Sequence, residues 1–183
     1  QPGAWRGRTC GACLRRPPAF VRAQTPLRYS DEVAWLVRRF KFQASPRAGT
    51  VLLALMETAL SEQASTWPQA LVPVPLHAHR ARGRGFDQAE WLATRLARRL
   101  GVPLLRGRRL HDTPSQRGLD RSERRANLRG GFRVEVALPA RVALLDDVMT
   151  TGATLDALAR ACLAAGAEEV EAWAVARTPL REI

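Results

Sequence analysis

The sequence predicts an α/β fold: a mostly parallel sheet flanked by helices, preceded by a short N-terminal arm. Three observations carry this. Short apolar, β-prone runs at 70–75, 132–136, 142–145 and 170–176 alternate with stretches of helical period. Val142–Leu145 is apolar at every position, as a strand buried on both faces requires. Residues 1–28, by contrast, are rich in Arg, Pro and Gly and read as an arm, leaving 29–183 as the main domain.

The elements follow in order. Ser30 can cap a helix whose apolar face is Val33, Leu36, Val37 and Phe40. A second helix is expected from about Arg47 to Gln63, with Leu52, Leu55, Met56 and Ala59 inward. Ala70–Pro75 reads as a strand whose two prolines end regular ladder pairing. Asp87 and Glu90 form a capping pair for a helix to Leu100, which Gly101 and Pro103 terminate. Residues 106–130 have no period, are rich in Arg, Gly and Ser, and read as a long mobile loop. Leu155, Leu158, Ala159 and Cys162 recur at helical spacing, and Gly166 closes that helix.

A chain of 183 residues suits one domain with a short appendage. No run of about 18 apolar residues is present, so no membrane span is expected. Residues 1–30 lack the apolar segment of a signal peptide, and the few cysteines fit a cytoplasmic location. The net charge of +12 is nearly all arginine. Clusters at Arg80, Arg82 and Arg84, at Arg106, Arg108 and Arg109, and from Arg117 to Arg129 suit a pyrophosphate, a nucleotide or a nucleic-acid backbone. An overall bias toward arginine would also produce such clusters on a solvated face. Oligomeric state is left open.

The richest segment is 142–154. Its apolar run meets two adjacent carboxylates, Asp146 and Asp147, then Thr150, Thr151, Gly152, Ala153 and Thr154, then a helix. Open α/β sheets bind ligands at this end of their strands. Helix-start amides favour an anion such as a sugar 5-phosphate, and the threonines add hydroxyl donors. Ionised carboxylates suit sugar hydroxyls or Mg²⁺ with its waters. A Walker B strand would look similar but needs a partner loop with a lysine, and the single lysine, Lys41, lies in Arg-Phe-Lys-Phe-Gln. Gly83 and Gly85 lack the third glycine of a dinucleotide fingerprint. Cys10-Gly11-Ala12-Cys13 could supply two zinc ligands, but a structural zinc needs four and no second pair is present. His77, His79 and His111 lie far along the chain. Cys162 sits on an apolar helix stripe and reads as packing.

Asp146-Asp147-Val148-Met149-Thr150-Thr151-Gly152-Ala153-Thr154 resembles the phosphoribosyl pyrophosphate (PRPP) motif of type I phosphoribosyltransferases. Val72-Pro73-Val74-Pro75-Leu76-His77, Arg84-Gly85-Phe86-Asp87-Gln88, Thr113-Pro114-Ser115-Gln116 and Arg124-Arg125-Ala126-Asn127 are similar to segments of one subgroup, the ComF (competence, GntX-like) family. The resemblance spans about residues 10–178, with Asp87 where the family usually has Asn. It implies the type I phosphoribosyltransferase fold and a pentosyl transfer from PRPP with Mg²⁺. It implies that Thr150–Thr154 grip the 5-phosphate, and that Asp146 and Asp147 meet the ribose hydroxyls, directly or through Mg²⁺. It makes Val74–Arg80, with Pro75, Leu76 and His77, the pyrophosphate loop, with Arg80 as the charge partner. Residues 106–130 would be the lid, using Arg109, Thr113, Gln116, Arg124 and Asn127. Arg82, Arg84 and Gln88 could instead anchor the structure beside the pyrophosphate loop. Phe40-Lys41-Phe42 resembles a family segment that could stack a base or a single strand, although aromatics at helical spacing are more often core. Cys10 and Cys13 resemble the second half of a zinc ribbon, a partial remnant whose first half would precede Gln1. The family also implies a part in natural competence, with single-stranded DNA and a competence helicase as partners. A DNA-binding factor or a PRPP-sensing regulator without turnover stays open beside the enzyme.

Overall fold

The computed structural model describes residues 11–63, 67–76, 86–110 and 130–179. The elements are α1 (Gly11–Arg15), β1 (Arg22–Gln24), β2 (Leu27–Arg28), α2 (Asp31–Phe42), α3 (Pro46–Gln63), β3 (Ala70–Pro73), α4 (Gln88–Leu100), β4 (Gly107–Arg109), β5 (Phe132–Val134), β6 (Arg141–Met149), α5 (Ala153–Ala164) and β7 (Glu169–Arg177). The main sheet is parallel throughout and runs β1-β7-β6-β3, with β2 continuing along the β7 edge after β1. The expected α/β architecture is therefore present.

Strands β6 and β7 form its centre, with apolar side chains on both faces. The even-numbered residues of β6, Val142 and Leu144, join a core with Leu155, Leu158, Ala159 and Cys162 of α5. The odd-numbered Ala143 and Leu145 join a second core with Phe40 of α2, Leu52 and Met56 of α3 and Leu92 and Leu96 of α4. This is strand alternation at work: successive side chains go to opposite faces. Leu145 pairs in register with Trp173 of β7, a fully buried indole whose Nε1–H donates to Glu171 Oε2 at 2.7 Å.

Four expectations need correction. First, β6 does not stop at Leu145; it stays paired with β7 through Met149, so both acids lie within the strand. Asp146 and Asp147 interrupt the apolar run, but the backbone ladder ignores side-chain polarity. Second, residues 22–28 are not an arm: they add an edge to the sheet. Polar contacts hold that edge, because Arg22 and Gln24 both donate to Glu171, at 2.7 and 2.8 Å. Third, the span expected as a loop begins as a strand, since β4 pairs antiparallel with β5. Fourth, Leu55 faces solvent at 43% exposure, while Leu52, Leu53, Met56 and Leu60 form the buried row of α3.

The helix ends follow local rules with one exception. Ser30 occupies the N-cap of α2 in an extended conformation but makes no side-chain cap; its carbonyl instead accepts from Val33 and Ala34. Asp87 does cap α4, accepting the Glu90 N–H at 3.0 Å, and Gly101 ends that helix with φ 67°. Gly49 lets α3 approach closely, for a Cβ there would lie 2.5 Å from Phe40 Cε2 and 2.9 Å from Trp91 Cη2. No described helix is long and apolar enough to cross a membrane.

Candidate functional site

The end of β6 turns through Thr150 and Thr151 into α5, and the turn depends on Gly152. That residue has φ 78° and ψ 4°, a left-handed conformation that glycine adopts without steric cost. Thr151 Oγ1 accepts the Ala153 N–H at 3.4 Å, and the Gly152 carbonyl accepts the Asp156 N–H at 2.8 Å. These contacts fold the loop into a small, half-open cleft lined by Asp146, Val148, Met149, Thr150, Gly152, Ala153, Thr154 and Leu155. The cleft thus gathers one carboxylate, two threonine side chains and the amino end of a helix, whose dipole favours an anion.

The two acids touch one another but differ in their other partners. Asp146 follows the even-numbered residues of β6 and lines the cleft. Asp147 follows the odd-numbered ones to the α2–α3–α4 face, is 8% exposed, and accepts Lys41 Nζ at 2.9 Å on its Oδ2. Burial, followed by the adjacent Asp147 charge, pushes the Asp146 carboxyl up to about 7; the Lys41 ammonium and the Asp147 N–H, donated to Asp146 Oδ1 at 2.8 Å, pull the other way. The pair therefore combines one carboxyl that resists ionisation with one that carries its own counter-ion.

The sequence marked Lys41 as the single lysine and as part of an aromatic-basic segment, but not as a partner of the acid pair. The structure separates that segment's three side chains. Phe40 is fully buried, edge-on to Phe86 and Trp91 with ring centroids 5.2 Å from each. Phe42 is 63% exposed, and Lys41 turns to the acid pair. Phe40 is thus core rather than a stacking platform, because its ring fills the gap between α2 and the start of α4.

A second unforeseen contact comes from the N-terminal segment. The Ala19 N–H donates to Asp156 Oδ1 at 2.7 Å, in the first turn of α5. The Phe20 ring lies beside Gly152, its Cζ 3.8 Å from where a Cβ would stand. Asp156 also accepts from Arg160 at 3.3 Å. Residues before β1 thereby pack against the β6–α5 loop and the first turn of α5.

Pro75 and Leu76 continue from β3 and are half-buried, and the Leu76 N–H donates to Asp87 Oδ2 at 3.1 Å. Asp87 thus joins the strand-end segment to α4 with both carboxylate oxygens; burial raises its pKa despite these bonds. Gln88 is buried and its amide donates to the nearby Phe86 carbonyl at 3.4 Å. Arg109 ends β4 with its guanidinium 5.4 Å over the Phe132 ring, and Phe132 packs in the same core as α5. His77, Arg80, Thr113, Gln116, Arg124, Asn127 and Cys10 lie outside the described residues. Cys13 is half-buried, and Cys162 is fully buried with its thiol pushed up to about 12 by burial.

Fold and site together define an α/β protein with a cleft at the carboxyl end of a central parallel strand. No family model matches the chain. The chain is 35% identical over 178 residues to competence protein F of Haemophilus influenzae, spanning 92% of this chain and 78% of that protein. It is 33% identical over 184 residues to DNA utilization protein YhgH of Salmonella typhimurium, spanning 97% and 81%. Competence protein ComFC of Bacillus subtilis is 29% identical over 165 residues, spanning 88% and 64%. These similarities establish that the chain belongs to the competence protein F (ComF) family. Among solved structures it is similar to an adenine phosphoribosyltransferase of Saccharomyces cerevisiae, at 17% identity, 74% and 73% coverage and a TM-score of 0.49.

Proposed function

We propose that this chain binds PRPP with Mg²⁺ in the β6–α5 cleft, and that it acts in DNA uptake during natural competence as a phosphoribosyltransferase-like protein. The observation that carries the pocket reading is the cleft that joins Asp146 to the Thr150–Thr154 loop at the start of α5. Its sequence resembles the PRPP motif, and its shape suits a phosphate beside a sugar hydroxyl. The names of the relatives, competence protein F and DNA utilization protein, support the cellular role.

The donor set fits Mg²⁺ of a particular kind. Among the described residues, no group of three or more His, Cys, Asp or Glu side chains is arranged to hold a metal. Mg²⁺ commonly binds through one or two carboxylates, substrate phosphates and water, and Asp146 beside a phosphate loop suits that mode. When bound, Mg²⁺ would neutralise charge on the departing pyrophosphate. The chain's own residues would do the rest. The loop amides and threonines hold the 5-phosphate, and Asp146 accepts from a ribose hydroxyl. Asp146, once ionised, would also favour positive charge that develops on the sugar ring as pyrophosphate leaves C1. Arg80 and the segment containing Thr113, Gln116, Arg124 and Asn127 would supply the pyrophosphate partner and the lid.

Asp146→Asn should weaken Mg²⁺-dependent PRPP binding about tenfold or more, since a hydrogen bond to a charged group is worth about 1.5–3 kcal/mol. Isothermal calorimetry reads this directly; unchanged affinity in the variant, or no PRPP binding by the wild type, would overturn the pocket assignment. A screen for pyrophosphate release with a panel of bases then separates transferase from sensor.

A second reading, single-stranded DNA binding, has its own observation on α2. Arg39 lies 4.8 Å over the ring of Trp35, which is 51% exposed, and Arg38 and Phe42 are exposed on the same helix. Aromatic and basic side chains interleaved on one surface suit stacked bases and backbone phosphates.

A further inference from the structure

The chain has 29 Lys and Arg residues, and Lys41 is the only lysine among them. Wherever else this sequence places a strong cation, it uses arginine. A guanidinium is a broad planar fork, whereas an ammonium is a compact point charge on a flexible stem. The one position that keeps the point charge is the one against the acid pair, with Nζ 2.9 Å from Asp147 Oδ2. Both side chains are largely covered, at 22% and 12% exposure. The backbone bearing Lys41 is pinned, because its neighbour Phe40 is clamped between Phe86 and Trp91.

We propose that Lys41 is a positioning residue for the acid pair: its ammonium holds the Asp147 carboxylate and fills the place that a free divalent cation would otherwise take. The proposal rests on the reading of the Asp146 cleft as a sugar-phosphate site. Two adjacent carboxylates without a counter-ion would attract a divalent ion from solution. With Lys41 in place, the pair keeps at most a single net negative charge, and only Asp146 faces the cleft. A divalent ion then needs further oxygens, which the phosphates of an incoming ligand provide. Lys41 thereby couples metal entry to ligand entry and keeps the empty cleft free of metal.

The test is a titration with Mn²⁺ alone, read by loss of the free-ion electron paramagnetic resonance signal, on wild type, Lys41→Met and Lys41→Arg. Lys41→Met should bind Mn²⁺ about tenfold or more tighter than wild type, as removal of one adjacent cation implies. Lys41→Arg keeps the charge but not its compact shape, and should bind Mn²⁺ less tightly than Lys41→Met. Equal Mn²⁺ affinity in wild type and folded Lys41→Met overturns the proposal. The wild type supplies a second measurement that needs no variant. Because the chain has a single lysine, selectively isotope-labelled lysine gives one side-chain ε-carbon NMR resonance. That resonance should be unmoved by Mg²⁺ alone and should shift with Mg²⁺ and PRPP together; a shift with Mg²⁺ alone overturns the proposal. Failure of the wild type to bind PRPP would sink the cleft reading, while the Mn²⁺ comparison would still decide what Lys41 does.

Discussion

Asp146 lines the cleft, while the Asp147 carboxylate meets Lys41, and the two carboxyls lie close enough to interact directly. Their difference has a consequence for stability. An unperturbed Asp ionises near pH 4, but burial holds the folded Asp146 proton until about pH 7. Between roughly pH 4 and pH 7 the folded state therefore binds more protons than the unfolded one, so stability falls as pH rises through that window. Asp146→Asn removes this titration, and its melting temperature should vary less across the same range than that of wild type. Parallel melting curves for the two proteins would show that Asp146 is not the source. The sequence announced the acid pair as chemistry but presented its members as equivalent. Their different surroundings follow from strand pairing that continues past the apolar run to Met149. The Lys41 partner was invisible because the contact joins distant parts of the chain and no local pattern marks it.

Helix α4 was the most legible element. Asp87 and Glu90 marked its start, Gly101 its end, and its buried residues Leu92, Ala93, Leu96 and Ala97 hold helical spacing. The structure adds a second duty to Asp87, which receives Leu76 N–H as well as Glu90 N–H. Asp87→Ala should therefore destabilise the protein by about 1–2 kcal/mol through the lost cap, with a further cost for the orphaned Leu76 amide. Asp87→Asn keeps an acceptor oxygen and should lose less; chemical denaturation separates the two, and equal losses would deny the cap its role. Strands β1 and β2 were illegible for the opposite reason. Arg22-Ala23-Gln24 has no apolar run, and its place on the sheet edge comes from Glu171, a residue far along the chain. Strand β4 was missed similarly, since Gly107-Arg108-Arg109 has no β-prone composition, whereas its partner β5 lies in the run expected at 132–136.

At the scale of the whole molecule, the dominant property is a net charge of +12. If about five arginines neutralise phosphates of a single strand, the log of affinity should fall with the log of salt at a slope of about −3.5. Fluorescence anisotropy with a labelled oligonucleotide across a salt series measures this. A flat response would remove the backbone-contact reading and leave the charge as a matter of composition. The parallel α/β architecture itself was readable from the alternation of buried strands with amphipathic helices. Length and charge alone could not indicate which face of the sheet would carry which helices, because that depends on the odd-even assignment of β6.

That assignment rests on the pairing of β6 with β7. A slip of one residue would send Asp147 to the cleft and Asp146 toward Lys41, exchanging the two environments without changing a single side chain. What opposes the slip is the middle of the ladder, where Leu145 stands opposite a fully buried Trp173 whose indole N–H is tied to Glu171. Trp173 lines no part of the cleft, yet it acts as a frame-keeper for the site. A smaller residue there could alter which carboxylate a ligand meets, so an activity defect far from the cleft would reflect reading frame in the sheet rather than loss of a contact.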